Sequence, residues 1–143
     1  MIEVQQLKEV SESVLKDMNM LLPALSDMSK RVGTKIELEK ITNNPDIILI
    51  VAQEDEKIVG MGMLFLMQKL GKKKAFMEDV VVADSQRGKG LGKTIVEKLI
   101  DVAKKREVNS IELTSNEKRV AANGLYLNLG FNKRITNVFT MNL

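Results

Sequence analysis

The segment Arg87-Gly88-Lys89-Gly90-Leu91-Gly92-Lys93 combines residue types and spacing that point to phosphate chemistry. The apolar run Val80-Val81-Val82 leads into it, and an apolar stripe at Leu91, Ile95, Leu99 and Val102 follows. A strand that feeds a glycine turn into a helix start leaves unpaired backbone N–H groups pointing outward. The helix dipole favours negative charge at that point. Glycine at 88, 90 and 92 lets the backbone approach a phosphate with no Cβ in the way, and Arg87, Lys89 and Lys93 add positive charge. Glycines at a helix start otherwise lower helix propensity.

Two familiar phosphate motifs fail in register. A P-loop ending in Gly92-Lys93-Thr94 needs its first glycine at position 87, which is Arg87. The dinucleotide fingerprint places its third glycine at Lys93 when counted from Gly88, and at Ile95 when counted from Gly90.

Absences narrow the chemistry further. The 143 residues include no Cys and no His. Thiol nucleophiles, Cys-ligated zinc and Ser-His triads are therefore excluded, and no metal site is expected. Catalysis must draw on carboxylates, Tyr, Lys, backbone groups or a bound cosubstrate. A net charge of +3, with acids and bases interleaved, makes no case for nucleic acid. The charged start MIEVQQLKEV lacks a signal-peptide core, and no apolar run reaches the ~20 residues of a membrane span. A cytoplasmic protein with no membrane partner is the expectation.

The elements that position the turn follow from periodicity. Leu7, Val10, Val14, Met18, Leu21, Leu25 and Met28 lie at helical intervals, and Pro23 divides them into two consecutive helices. Strands are predicted over Ile47–Ala52, Ile58–Met67 and Phe76–Val82, a helix over Leu91–Arg106, and a short strand over Ile111–Thr114. A helix over Arg119–Asn128 stops near Gly130, and Val138–Met141 closes the chain as a strand. The basic clusters Lys72–Lys74 and Lys104–Arg106 read as solvated charges. With no repeats or linkers, residues 1–143 read as a single mixed α/β domain.

The pattern [RQ]-x-x-G-x-[GA] does fit Arg87 to Gly92. Together with Glu78-Asp79-Val80-Val81-Val82 upstream and Leu125-Tyr126-Leu127-Asn128-Leu129-Gly130-Phe131 downstream, it resembles the GNAT superfamily of acetyl-CoA-dependent N-acetyltransferases. The resemblance covers about residues 46–140. It implies a mixed, mostly antiparallel sheet splayed at its centre and flanked by about four helices, with CoA in the opening. The amides of residues 87–92, with Lys93 beside them, would bind the pyrophosphate. Val80, Val81 and Val82 would line the pantetheine arm, Val80 and Val82 pairing with it through the backbone. Asn123 is a further cofactor contact, although many members carry Asn at the position of Arg119. A small-molecule or protein amine is the implied acceptor, and dimerisation is common in such folds.

Acetyl transfer to an amine needs a base for the ammonium, a donor for the oxyanion and a proton for the thiolate. Glu78 is the predicted base, because strand alternation puts it on the side of Val80 and Val82. Tyr126, the sole tyrosine, matches the family's general acid, and the N–H of Val80 its oxyanion donor. The Tyr126 helix should bury a stripe of Ala121, Ala122, Leu125 and Leu129 beside a polar face of Arg119, Asn123 and Tyr126. The competing reading is a non-catalytic acyl-CoA-binding regulatory module on the same fold.

Overall fold

The computed structural model describes residues 1–25 and 30–143. Five strands, β1 (Ile2–Gln6), β2 (Ile47–Glu54), β3 (Lys57–Lys69), β4 (Lys72–Val82) and β5 (Ser110–Glu112), form one sheet in that spatial order. β1 to β4 are antiparallel, and β5 joins β4 in parallel. Four α-helices accompany them among the described residues: α1 (Glu12–Leu21), α2 (Lys35–Asn43), α3 (Leu91–Lys105) and α4 (Val120–Asn128). None is long and apolar enough to cross a membrane.

Alternation along the central strands builds a core on each face of the sheet. On one face Leu64, Leu66, Ala75 and Met77 meet Leu91, Ile95 and Leu99 of α3 and Tyr126 of α4. On the other, Met61, Met63 and Val81 meet Met18 and Leu21 of α1 and Leu38 of α2. α3 lies tight on β3: a Cβ at Gly62 would sit 2.9 Å from Ile95 Cγ2 and 3.0 Å from Leu99 Cδ1. Any side chain there would push the helix, and the glycine turn before it, off the sheet.

The N-terminal helices differ from the periodic reading. α1 starts only at Glu12, because Ser11 caps it by accepting the Val14 amide at 3.2 Å. Pro23 ends it in a single tight turn, and Met28 lies outside the described residues. The second helix begins at Lys35, well beyond the Pro23 break. Its start is a capping box: the Thr34 hydroxyl accepts the Glu37 amide, and the Glu37 carboxylate accepts the Thr34 amide at 2.8 Å.

The basic cluster at Lys72–Lys74 is also not merely solvated. The Lys74 ammonium is 2.7 Å from Glu112 Oε1 with only 13% of its side chain exposed, and Lys73 Nζ donates to the Arg106 carbonyl at 3.0 Å. These contacts clamp β5 and the end of α3 to β4. Glu112 also receives Arg134 at 2.7 Å. The Lys74 hydrogen bond is the main cause holding its carboxyl below the usual range.

The last predicted strand does not form. Residues 131–143 carry no regular structure, and Phe139 is 90% exposed.

Candidate active site

β4 and β5 pair only from Lys74–Phe76 to Ser110–Glu112, while β4 continues to Val82. Past Phe76 the two strands part, which is the splay that the sequence resemblance implies. The Ala83 amide donates to the Val59 carbonyl of β3 at 2.8 Å. In an extended strand, Val81 shares that direction, so Val80 and Val82 turn their backbone groups the other way, into the opening. Arg119, at the start of α4, donates to the Val80 carbonyl from that side at 3.4 Å. The Val80 and Val82 backbones thus face the opening, and Val81 is buried in the opposite core.

The glycine turn stands at the end of this edge. Gly88 and Gly90 have φ of 75° and 80°, a left-handed backbone that costs most other residues ~1–2 kcal/mol. A Cβ at either position would meet no heavy atom within 4 Å. That space is open, and the residues fit a phosphate-bearing ligand. Gly90 is the N-cap of α3 and offers no side-chain cap. The first helical bond runs from Thr94 N to Gly90 O at 3.1 Å, so the amides of Leu91, Gly92 and Lys93 precede it, as at any helix start. The Thr94 hydroxyl donates back to the same carbonyl, as a P-loop threonine holding a metal would not. Lys89 and Lys93 are exposed beside these amides. Arg87 is paired with Asp84 at 3.1 Å, so its charge is partly met already.

One support for the turn has no sequence motif. Gln86 is the buried polar residue just before it, and its Nε2 donates to Glu54 Oε2 at 2.7 Å. This bond ties the turn to the β2–β3 hairpin. A lone glutamine ahead of Arg87 and the glycine turn gave no signal in the sequence.

Glu78 is not on the side of Val80 and Val82. Met63 of β3 faces Glu78 and Met61 faces Val81, so Gly62 opposes two residues, Asp79 and Val80. This is a β-bulge, with Asp79 at a φ of 54°. The extra residue reverses the alternation. Glu78 shares the face of Met63 and the α1–α2 layer, whereas Val80 and Val82 pack on the α3 side. Arg31 fixes the bulge with a two-pronged contact to Asp79, at 3.0 and 2.9 Å. Glu78 remains exposed, yet partial burial of its carboxyl raises its pKa above the ordinary carboxylate value. The Asp79 charge adds to the rise and the Arg31 charge opposes it.

Tyr126 is more deeply seated than a residue beside the core stripe. It is 8% exposed and part of the α3-side core, while Ala121 of the predicted stripe is exposed. Its ring meets Phe131 edge-on, with centroids 5.8 Å apart. Burial raises the pKa of its phenol, against the opposing charge of Arg119. Among the described residues no group hydrogen-bonds its hydroxyl. Asn123 spends its side-chain amide on the Asn116 carbonyl at 3.1 Å. At Gly124 a Cβ would meet nothing within 4 Å, so protein packing does not require that glycine.

The family model described as "Acetyltransferase (GNAT) family" matches residues 17–131. The human N-acetyltransferase 8B is 29% identical over 126 residues, covering 79% of this chain and 56% of that protein. The glucosamine 6-phosphate N-acetyltransferase of Trypanosoma brucei brucei is 30% identical over 115 residues, covering 77% and 67%. The chain thus spans between about half and two thirds of the length of these two relatives. Among solved structures, AAC(6')-Iy in complex with a bisubstrate analog, CoA-S-monomethyl-acetylneamine, superimposes with a TM-score of 0.76 over 100% of this chain and 99% of that one, at 14% identity.

Proposed function

The chain belongs to the GNAT family of acetyltransferases, and from that premise we propose that it transfers an acetyl group from acetyl-CoA to a primary amine by direct attack in a ternary complex. One observation carries this reading: the edge of β4 at Val80 and Val82, which β5 does not cover, ends at a glycine turn with no side-chain cap and open space over it. Residues 88–93 would hold the pyrophosphate, and the backbone of Val80 and Val82 the amides of the pantetheine arm. Arg119 would yield the Val80 carbonyl to that arm. When bound, acetyl-CoA supplies the activated acyl group.

The bulge leaves Glu78, the proposed base, on the face of the sheet opposite Tyr126, the proposed acid. Glu78, on the α1–α2 face, takes the proton released as the amine nitrogen bonds the acyl carbon. Tyr126, on the α3–α4 face, gives its proton to the sulfur as the C–S bond breaks. The Val80 N–H, turned into the opening at the bulge, donates to the carbonyl oxygen as it gains charge. An amine arriving from the α1–α2 side and an acyl donor lying on the other would meet at this point.

The test is an acetyl-CoA turnover panel. The relatives' names suggest glucosamine 6-phosphate and aminoglycosides as members, with polyamines and peptide amines beside them. Turnover with at least one amine is expected. CoA binding without turnover on any amine would favour a regulatory module instead. With an acceptor in hand, kcat/KM should rise with pH through a carboxyl pKa above the ordinary range, because only ionised Glu78 can accept a proton. Glu78→Gln should remove that limb. Its defect should shrink towards a pH of about 10, where an alkylamine is itself neutral. An unchanged acid limb in Glu78→Gln would transfer the role to another group.

A further inference from the structure

Arg119, at the start of α4, has no anion to answer its charge. Arg31, Arg87, Arg106 and Arg134 each meet a carboxylate. Among the described residues no ion pair involves Arg119, although it is half-buried. Its guanidinium donates to the Val80 carbonyl at 3.4 Å, a long contact with a neutral group. A cation drawn partly out of water without an anion loses hydration that the protein does not return.

The second group beside it is Tyr126, seven residues on. Seven residues turn an α-helix by about 700°, back to nearly the same face, and rise about 10.5 Å. Helical side chains lean towards the N-terminus, so the Tyr126 ring leans towards Arg119. The Arg119 charge reaches the phenol and opposes the rise that burial gives its pKa. Asn123 lies between them in sequence, but its amide is spent on the Asn116 carbonyl. The guanidinium thus touches the edge that would carry the thioester and acts on the hydroxyl proposed to protonate its sulfur.

We propose that Arg119 is a third catalytic residue, whose guanidinium leaves the Val80 carbonyl when CoA is bound and takes up the negative charge released on the sulfur. This assignment rests on the acyl-transfer reading and gives a chemical task to a residue which that reading only displaces. As the C–S bond breaks, its electron pair goes to sulfur. The Tyr126 proton follows, so the charge passes from sulfur to the phenolate oxygen, and solvent then returns the proton to Tyr126. A guanidinium in reach of both atoms favours each state in turn. A neutral Asn, which many family members carry at this position, would supply a hydrogen bond but no charge.

The test needs no acceptor amine, only CoA, whose free thiol stands for the leaving group. An opposite charge beside a thiol lowers its pKa by about 1–3, from roughly the 8.5 of Cys or a little above. For a fall of about two, CoA binding at pH 8 should release roughly half a proton. Calorimetry reads that release as the dependence of the binding enthalpy on the ionisation enthalpy of the buffer. Desulfo-CoA keeps every other group and subtracts any proton released elsewhere. Arg119→Gln, which can still bond the Val80 carbonyl, should bind desulfo-CoA as the wild type does, yet lose most of the excess release with CoA. Excess release that persists in Arg119→Gln would overturn the inference, as would CoA bound to the wild type without it. A loss of desulfo-CoA affinity in the variant would assign Arg119 to holding the cosubstrate's phosphates or amides, and would overturn it too. If neither CoA nor desulfo-CoA bound the wild type, the acyl-transfer reading would fall, and this inference with it.

Discussion

Tyr126→Phe should lower kcat by about 10²-fold, near the lower end for general acids because a thiolate is already a fair leaving group, while leaving acetyl-CoA affinity nearly unchanged. The substitution keeps the ring, so its edge-on contact with Phe131 and its place in the α3-side core persist. It also strands no buried partner, since no described group bonds the hydroxyl. Burial raises the phenol's pKa, so at neutral pH the group holds the proton that the sulfur needs. The charge on sulfur develops only as the C–S bond breaks, so losing the donor costs the transition state rather than the bound state. Single-turnover kinetics on a good acceptor would read the chemical step directly. Full retention of that rate would return Tyr126 to a packing role.

Gly90→Val should weaken acetyl-CoA binding by about tenfold or more, the loss attached to about one charge-assisted hydrogen bond at 1.5–3 kcal/mol. Apart from the adjoining residues, no heavy atom lies within 4 Å of the new Cβ, so the space it enters is the space proposed for the ligand. The φ of 80° adds backbone strain to a valine, and Gly90→Asn separates the two effects. Asparagine tolerates the left-handed region yet still fills the phosphate space. Both variants should bind weakly by calorimetry, with only the valine losing appreciable melting temperature. Wild-type affinity in Gly90→Asn would move the pyrophosphate away from this turn.

Much of this architecture was legible because it is local. The strand runs at Ile47, Ile58 and Phe76, the stripe of α3 and the glycine spacing are each written within one segment. α2 was not read: its apolar stripe is too thin for periodicity to reveal, and its start is marked only by the Thr34–Glu37 capping box, beyond the predicted helices. The side of the sheet on which Glu78 lies was not legible. Alternation assumes that no residue is inserted, and the bulge depends on Gly62 across the ladder and on Arg31 from a distant loop. The end of the chain failed for a related reason. Its alternating residues do favour a strand, yet pairing needs a neighbour, and none of the described residues supplies one.

Acetyl-CoA titrated into ¹⁵N-labelled protein, followed amide by amide, shows whether the β4 edge and the glycine turn together hold the cosubstrate. Saturable shifts are expected at one site per chain, concentrated on the amides of Val80 and Val82 and on those of residues 88–93. No shifts at millimolar ligand, or shifts that leave both the β4 edge and the glycine turn unmoved, would contradict it.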